Sequence, residues 1–386
     1  MMSAVKRLCA LVAVALFVGC GAQPDAVLFR GAGAPGIAGL HRYEYVFPDR
    51  ELDVFQARPP FRLVERVRIP EFHALRGVAV NPRSGTVYAS VGGNGGSSGN
   101  GSVVAYDLFT NRVLWRRSFP TGTDSLAITR GGRTLYVPEG ERTMGDLWYV
   151  VDASTGRVTG RIHAAPGPHN TIVSRDARKV YLGPRNSRFL VVASTATNAV
   201  VLRVGPLKPG VRPFTIDEAR GLAYTTATGF LGFQVSSLRT GRVLYTVPID
   251  FPWRRSLGTP SHGIALTPDG RTLAVIDVPN SYVHIFDVLR VPRRGPQHVA
   301  DVPLTHSMKG EERPCGGDCG RAGWLQYGLD GRHLWVADDG DVVSAATNRV
   351  VAYIPALANS RYLFELDWRG GTPVRSGGRS GIAAAP

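Results

Sequence analysis

The chain has 386 residues, with 45 Lys and Arg against 30 Asp and Glu, a formal net charge of +15, 46 Gly and four Cys. At 44% apolar and 19% charged it can bury a full core, which excludes global disorder. The positive balance raises nucleic acid as a partner. However, only Lys6, Lys179, Lys208 and Lys309 are lysines, the Arg residues are spread along the chain, and no basic run exceeds three residues, so no nucleic-acid partner is expected.

Residues 1–20 read as an export signal. Lys6 and Arg7 precede an apolar run over 8–18 that is too short to span a bilayer. The run ends Leu16-Phe17-Val18-Gly19-Cys20, and a small residue directly before Cys resembles the lipobox of bacterial lipoproteins. Lipidation of Cys20 is therefore expected, with the membrane as partner through the lipid and the cell envelope as location. Residues 21–40, rich in Gly, Ala and Pro, predict a flexible tether.

From residue 41 the sequence repeats itself. A Thr-[Asn/Gly]-x-Val phrase starts at Thr110, Thr155, Thr197, Thr240 and Thr347, with gaps of 45, 42, 43 and 107 residues. Each phrase puts Asn or Gly where a turn between β-rich runs needs a positive φ. Upstream lie hairpin patterns such as 126–137, 264–275 and 325–336, with Gly-Gly or Asp-Gly between the strands. No long segment has a helical period. Four antiparallel strands in about 45 residues cannot bury both faces alone, but a ring of such units can, and that is a β-propeller.

First strands are expected near Val78, Leu126, Ile172, Phe214, Ile264 and Leu325. A seventh unit is split, with an inner hairpin at 363–374 and outer strands at 52–55 and 63–69. The expectation is an all-β, seven-bladed propeller of four-stranded antiparallel blades over 41–375. Its last blade is closed by N- and C-terminal strands, residues 376–386 are a disordered tail, and the protein is a monomer.

The phrases Leu135-Tyr136-Val137, Val151-Asp152 and Thr155 to Val158 resemble the YVTN family of β-propellers, whose units carry a Pro-Asp-Gly-type turn, Leu-Tyr-Val, Val-x-Asp and a Thr-turn-Val. The likeness covers about residues 45–375. It implies the propeller fold, in a family that includes binding and surface-layer proteins. Related seven-bladed propellers include lactonases, the streptogramin lyase and the haem d1 domain of nitrite reductase.

In such a blade, the loop entering the innermost strand and the loop between the second and third strands share one face. Counting back from the second-strand Leu or Val places Arg76, Asp124, His169, Arg212, His262 and Arg361 at the channel mouth, with Asn170, Trp324 and Tyr362 as neighbours. Second-to-third strand loops add Glu139, Glu141, Arg185, Asn186, Asp277, Asp338 and Asp339. Long loops add Trp253, Arg254, Arg255, His306, Lys309, Glu311 and Glu312. Arg and His converging on one ring suit an anionic or oxygen-rich small ligand, with Arg as bidentate donor. A water-filled polar channel without chemistry is the alternative.

Cys315 and Cys319, in Arg313-Pro-Cys-Gly-Gly-Asp-Cys-Gly320, are expected to form a disulfide in an oxidising compartment. The Gly-rich run 92–101 lacks the Lys and the spacing of a phosphate loop. No G-x-S-x-G, H-E-x-x-H or C-x-x-C-H motif occurs. No residue set is assigned to a metal, and the cofactor and catalytic residues stay open. The leading expectation is an envelope-anchored binding or scaffolding propeller, its ligand an anionic small molecule, a glycan or a protein loop. The alternatives are a lactonase- or lyase-type enzyme at the same mouth and a periplasmic redox accessory protein.

Overall fold

A computed structural model describes residues 39–250, 258–308, 320–378 and the backbone of 381–384. The predicted signal with Cys20, the loop residues Trp253, Arg254, Arg255, Lys309, Glu311 and Glu312, and the Cys315–Cys319 pair lie outside them. No helix among the described residues is long and apolar enough to cross a membrane.

Seven antiparallel sheets make up the chain, and six have four strands consecutive in sequence. These blades 1 to 6 span 75–118, 127–163, 168–204, 211–248, 264–303 and 325–353. The only helical turns described are the short 3-10 segments Gly93–Gly96 and Leu357–Asn359. Inner strands pack side by side around a channel, Leu75–Asn81 beside Ala127–Ile128 and Val211–Asp217 beside Ile264–Leu266. The outer strands face solvent, as in the almost wholly exposed Arg112–Ser118.

The five repeat phrases sit at the turns into these outer strands. Asn111, Gly156, Asn198, Gly241 and Asn348 have φ of 54°, 70°, 59°, 74° and 53°. Asn and Gly tolerate this left-handed region better than other residues. The core lies between adjacent sheets. Tyr136, Trp148 and Val150 of blade 2 bury against Val173, Val180, Leu182 and Val191 of blade 3, and Trp148 Nε1 donates to Thr171 Oγ1 at 3.0 Å.

The seventh sheet differs from the expectation. It has six strands, in the order Leu63–Arg68, Glu51–Gln56, Leu40–Val46, Leu363–Arg369, Thr372–Gly378 and Gly381–Ala384. The N-terminal side therefore supplies three blade strands rather than two. Leu40–Val46 pairs along its whole length with Leu363–Arg369, from Leu40↔Arg369 to Val46↔Leu363. Its charged residues look like surface in sequence, but they are paired inside. Arg42 reaches Asp367 at 2.6 Å, Glu365 at 2.7 Å and Asp330 at 2.7 Å.

The inner strand is Leu363–Arg369, which packs beside Leu75–Asn81 and closes the ring. Thr372–Gly378 then lies on its channel side. Gly377 and Gly378 border one channel cavity with Ile172, Phe214, Ile264 and Leu325, and a second with Leu126, Val173 and Tyr362. Residues 376–378 and 381–384, expected as disordered tail, are thus strand. Small residues allow the fit, since a Cβ on Gly377 would come within 2.6 Å of Leu329 Cδ2.

Candidate functional site

Each residue aligned at the mouth sits at or just before the start of an inner strand. Arg76 lies in Leu75–Asn81, His169 and Asn170 in Pro168–Val173 and Arg212 in Val211–Asp217. Asp124, His262, Trp324 and Arg361 lie one to three residues ahead of theirs. The ring arrangement turns this shared position into proximity, and all eight are buried.

Arg76, Asp124, His169 and Arg212 gather around Glu141. Glu141 lies in the loop between the second and third strands of blade 2. Its Oε1 accepts from Arg76 at 2.8 Å, and its Oε2 takes Arg212 at 3.2 Å and Arg185 at 3.0 Å. Arg76 also donates to Asp124 at 3.1 Å, and Arg212 Nε donates to Thr228 Oγ1 at 2.9 Å. His169 Nε2 lies 3.7 Å from Glu141 and 3.8 Å from Asp124. The Asn170 amide lies 2.9 Å from His169 Nδ1. With that amide donating, the imidazole proton sits on Nε2, facing the carboxylates.

Burial works against charge on Glu141, yet Arg76, Arg185 and Arg212 together hold it well below the usual carboxylate range. Asp124 goes the other way. Burial, only partly offset by Arg76, and the charge of Glu141 push it up to about 6. Burial lowers Arg212 to about 10 despite Glu141. Four guanidinium groups, with Arg142 at 3.9 Å from Glu141, thus face two carboxylates among the described residues, leaving two positive charges, or three once Asp124 holds a proton.

The rest of the ring is aromatic. The His169 and His262 ring centroids lie 6.1 Å apart, and His262 meets Trp324 edge-on at 4.7 Å. Trp324 lies 5.9 Å from Tyr362 and from the Arg361 guanidinium. Arg361 Nη2 also donates to Gly320 O at 3.1 Å. Asp338 Oδ2 accepts from Ala322 N at 2.9 Å and Gly323 N at 3.1 Å, fixing the approach to Trp324. Asp277, an acid expected on this face, instead binds Asn280 and His284, at 2.8 and 3.3 Å.

The Gly-rich run covers the charged half. A Cβ on Gly95 would lie 2.9 Å from Arg76 Nη2 and 3.2 Å from Glu141 Cγ, at a φ of +64°. Gly95 O also accepts from Arg142 N at 2.8 Å. Only a glycine backbone comes this close, which explains the run's composition without a phosphate. Arg185, with 31% of its side chain exposed, and Arg142, with 24%, are the Arg residues of the cluster that reach solvent.

Glu141 and Arg185 are placed by sequence only among the loop residues. The signal that points to them is shared topology: both follow a second strand, on the face where the inner strands begin.

No family model matches the sequence, and no curated protein matches it. Among solved structures, the chain is similar to the dihydro-heme d1 dehydrogenase NirN in complex with DHE. The TM-score is 0.56 at 13% identity, covering 89% of this chain and 74% of that chain. At this identity the likeness concerns the fold, a β-propeller.

Proposed function

We propose that the protein is an exported, lipid-anchored propeller of the YVTN type that binds a small carboxylate- or phosphate-bearing molecule at its channel mouth. One observation carries the reading. Arg76, Arg185 and Arg212 converge on the single carboxylate of Glu141, with positive charge left over. Guanidinium forks match carboxylate and phosphate geometry, and Glu141 acts as an internal stand-in for a ligand's acid group. Export and anchoring rest on residues 1–20 and Cys20. Binding is favoured over hydrolysis because His169 has Nδ1 engaged by Asn170 and Nε2 turned to two carboxylates, so it offers no free base.

A second reading, a redox accessory protein holding an iron tetrapyrrole, draws on the fold likeness to NirN and on the His169–His262 pair. Those imidazoles would hold the iron and the Arg residues its acid side chains. Trp324, packed on His262, would have to move.

Calorimetric titration with mono- and dicarboxylates, phosphates, lactones and haemin tests both readings. A carboxylate or phosphate should bind wild type and bind far more weakly to Arg185→Gln, whose side chain is partly solvated. Binding that is unchanged in Arg185→Gln and Arg212→Gln, or no binding across the panel, rejects the mouth site. A haemin absorption change that is lost in His169→Ala and His262→Ala would move the conclusion to the second reading. Cys20→Ser should shift the protein from the membrane to the soluble fraction.

A further inference from the structure

On the same face, at the junction of blades 5 and 6, lies a second cluster that the mouth does not use. His306, Asp339 and Asp341 offer ligand atoms that all lie within 4.8 Å of one another. Both carboxylates are fully buried, at 0% exposure. Asp341 is satisfied by Thr305, whose backbone N donates to Oδ2 at 2.7 Å and whose hydroxyl lies 2.5 Å from Oδ1. Asp339 is not. Its Oδ2 accepts from Asp341 N at 3.2 Å, but its Oδ1 is buried with no partner among the described residues. A buried carboxylate oxygen without a donor is costly and calls for a cation or a proton.

The third member is already oriented. Thr305 Oγ1 has one proton, which goes to the Asp341 carboxylate, so at 2.8 Å it accepts from His306 Nδ1–H. With Nδ1 as the donor, Nε2 is the ring nitrogen left for an ion, and the imidazole stacks on Tyr353 at 4.1 Å between centroids.

We propose that His306, Asp339 and Asp341 form a binding site for a divalent first-row transition-metal ion of the Zn2+ or Mn2+ type. One imidazole with two carboxylates suits these ions, whereas Ca2+ prefers six to eight oxygens. Asp338 in the same loop holds Ala322 and Gly323 ahead of Trp324, so an ion here braces the aromatic wall of the mouth.

The test is thermal-shift and calorimetric titration of the chelator-treated full chain with Zn2+, Mn2+ and Ca2+. Zn2+ or Mn2+ should bind with one-to-one stoichiometry and raise the melting point by several degrees, with Ca2+ much weaker. Asp339→Asn should abolish binding, and His306→Ala, at an exposed position, should weaken it by at least about tenfold. His298→Ala, in a separate His–Asp cluster, should leave it intact. No response to Zn2+ or Mn2+, or an affinity unchanged in His306→Ala, overturns the proposal. His306→Ala carries this decision even if Asp339→Asn fails to fold.

Discussion

Glu141→Gln keeps the shape of the side chain and removes its charge. Glu141 is buried and takes Arg76 at 2.8 Å, Arg185 at 3.0 Å and Arg212 at 3.2 Å, with His169 at 3.7 Å. In the variant, the guanidinium groups are left with one carboxylate, Asp124, on which the upward push from the charge of Glu141 is gone. Removing one partner of a buried ion pair costs about 3–5 kcal/mol, because the other charge stays buried. Arg185 is partly solvated and adds little to that figure. At about 2 °C per kcal/mol for a chain of this size, the melting point should fall by roughly 6–10 °C.

Scanning calorimetry at neutral pH and low salt reads this directly. A companion variant, Glu141→Ala, opens space between the Arg residues, so acetate or phosphate should restore part of the loss. A ligand at 100 times its Kd returns about 2.7 kcal/mol. Wild type, with the carboxylate in place, should respond less. A Glu141→Gln melting point within a degree of wild type, or a Glu141→Ala variant blind to both anions, would refute the reasoning.

Gly95→Ala should cost about 1–3 kcal/mol, since a Cβ there meets Arg76 and Glu141 at a φ of +64°. The same substitution should weaken anion binding at the mouth, and wild-type stability and affinity would contradict this. Stability should fall as pH rises from about 4.5 to 8. Burial raises both Glu44 and Glu365, register partners across the closing seam, with Glu365's charge adding to the rise at Glu44; Glu365 reaches about 8. The unfolded chain releases those protons near pH 4.3 and the folded chain keeps them, so acid favours folding over this window. Glu44→Gln should flatten the profile, and a wild-type melting point that rises across the window speaks against it. Truncation after Gly370 removes the strands on the channel side while Leu363–Arg369 still closes the ring. Circular dichroism should show a cooperative melt only a few degrees lower. Loss of cooperativity would make those strands part of the blade.

The blades were legible because their signals are local. Asn111, Asn198 and Asn348 mark turns by a backbone requirement, and alternating apolar residues mark the strands on either side. A fixed repeat also let Arg76, Asp124, His169 and Arg212 be aligned on one face. Glu141 was harder to single out, since its loop has no period and its role depends on three Arg residues from other loops and strands. Leu40–Val46 hid because the partners of Arg42 and Glu44 lie more than 280 positions away. The Ser-Gly-Gly of 376–378 has the composition of a tail, and only the narrow channel gives that smallness a use.

The closing seam sets a condition on how the chain is made. Arg42 and Asp367 are 325 positions apart, and Tyr45 and Trp368 are 323 apart. A chain emerging from a ribosome or a translocon presents Leu40–Val46 long before Leu363–Arg369 exists, so one strand edge waits unpaired through most of synthesis. Closing so long a loop adds only a logarithmic entropy term; the hazard is kinetic, because an open edge recruits other chains. Arg42 and Glu44, alternating with Tyr43 and Tyr45, put charge on that waiting edge. Arg42, ion-paired inside the finished ring, and Glu44, buried there beside Gln326, also guard the nascent chain against aggregation.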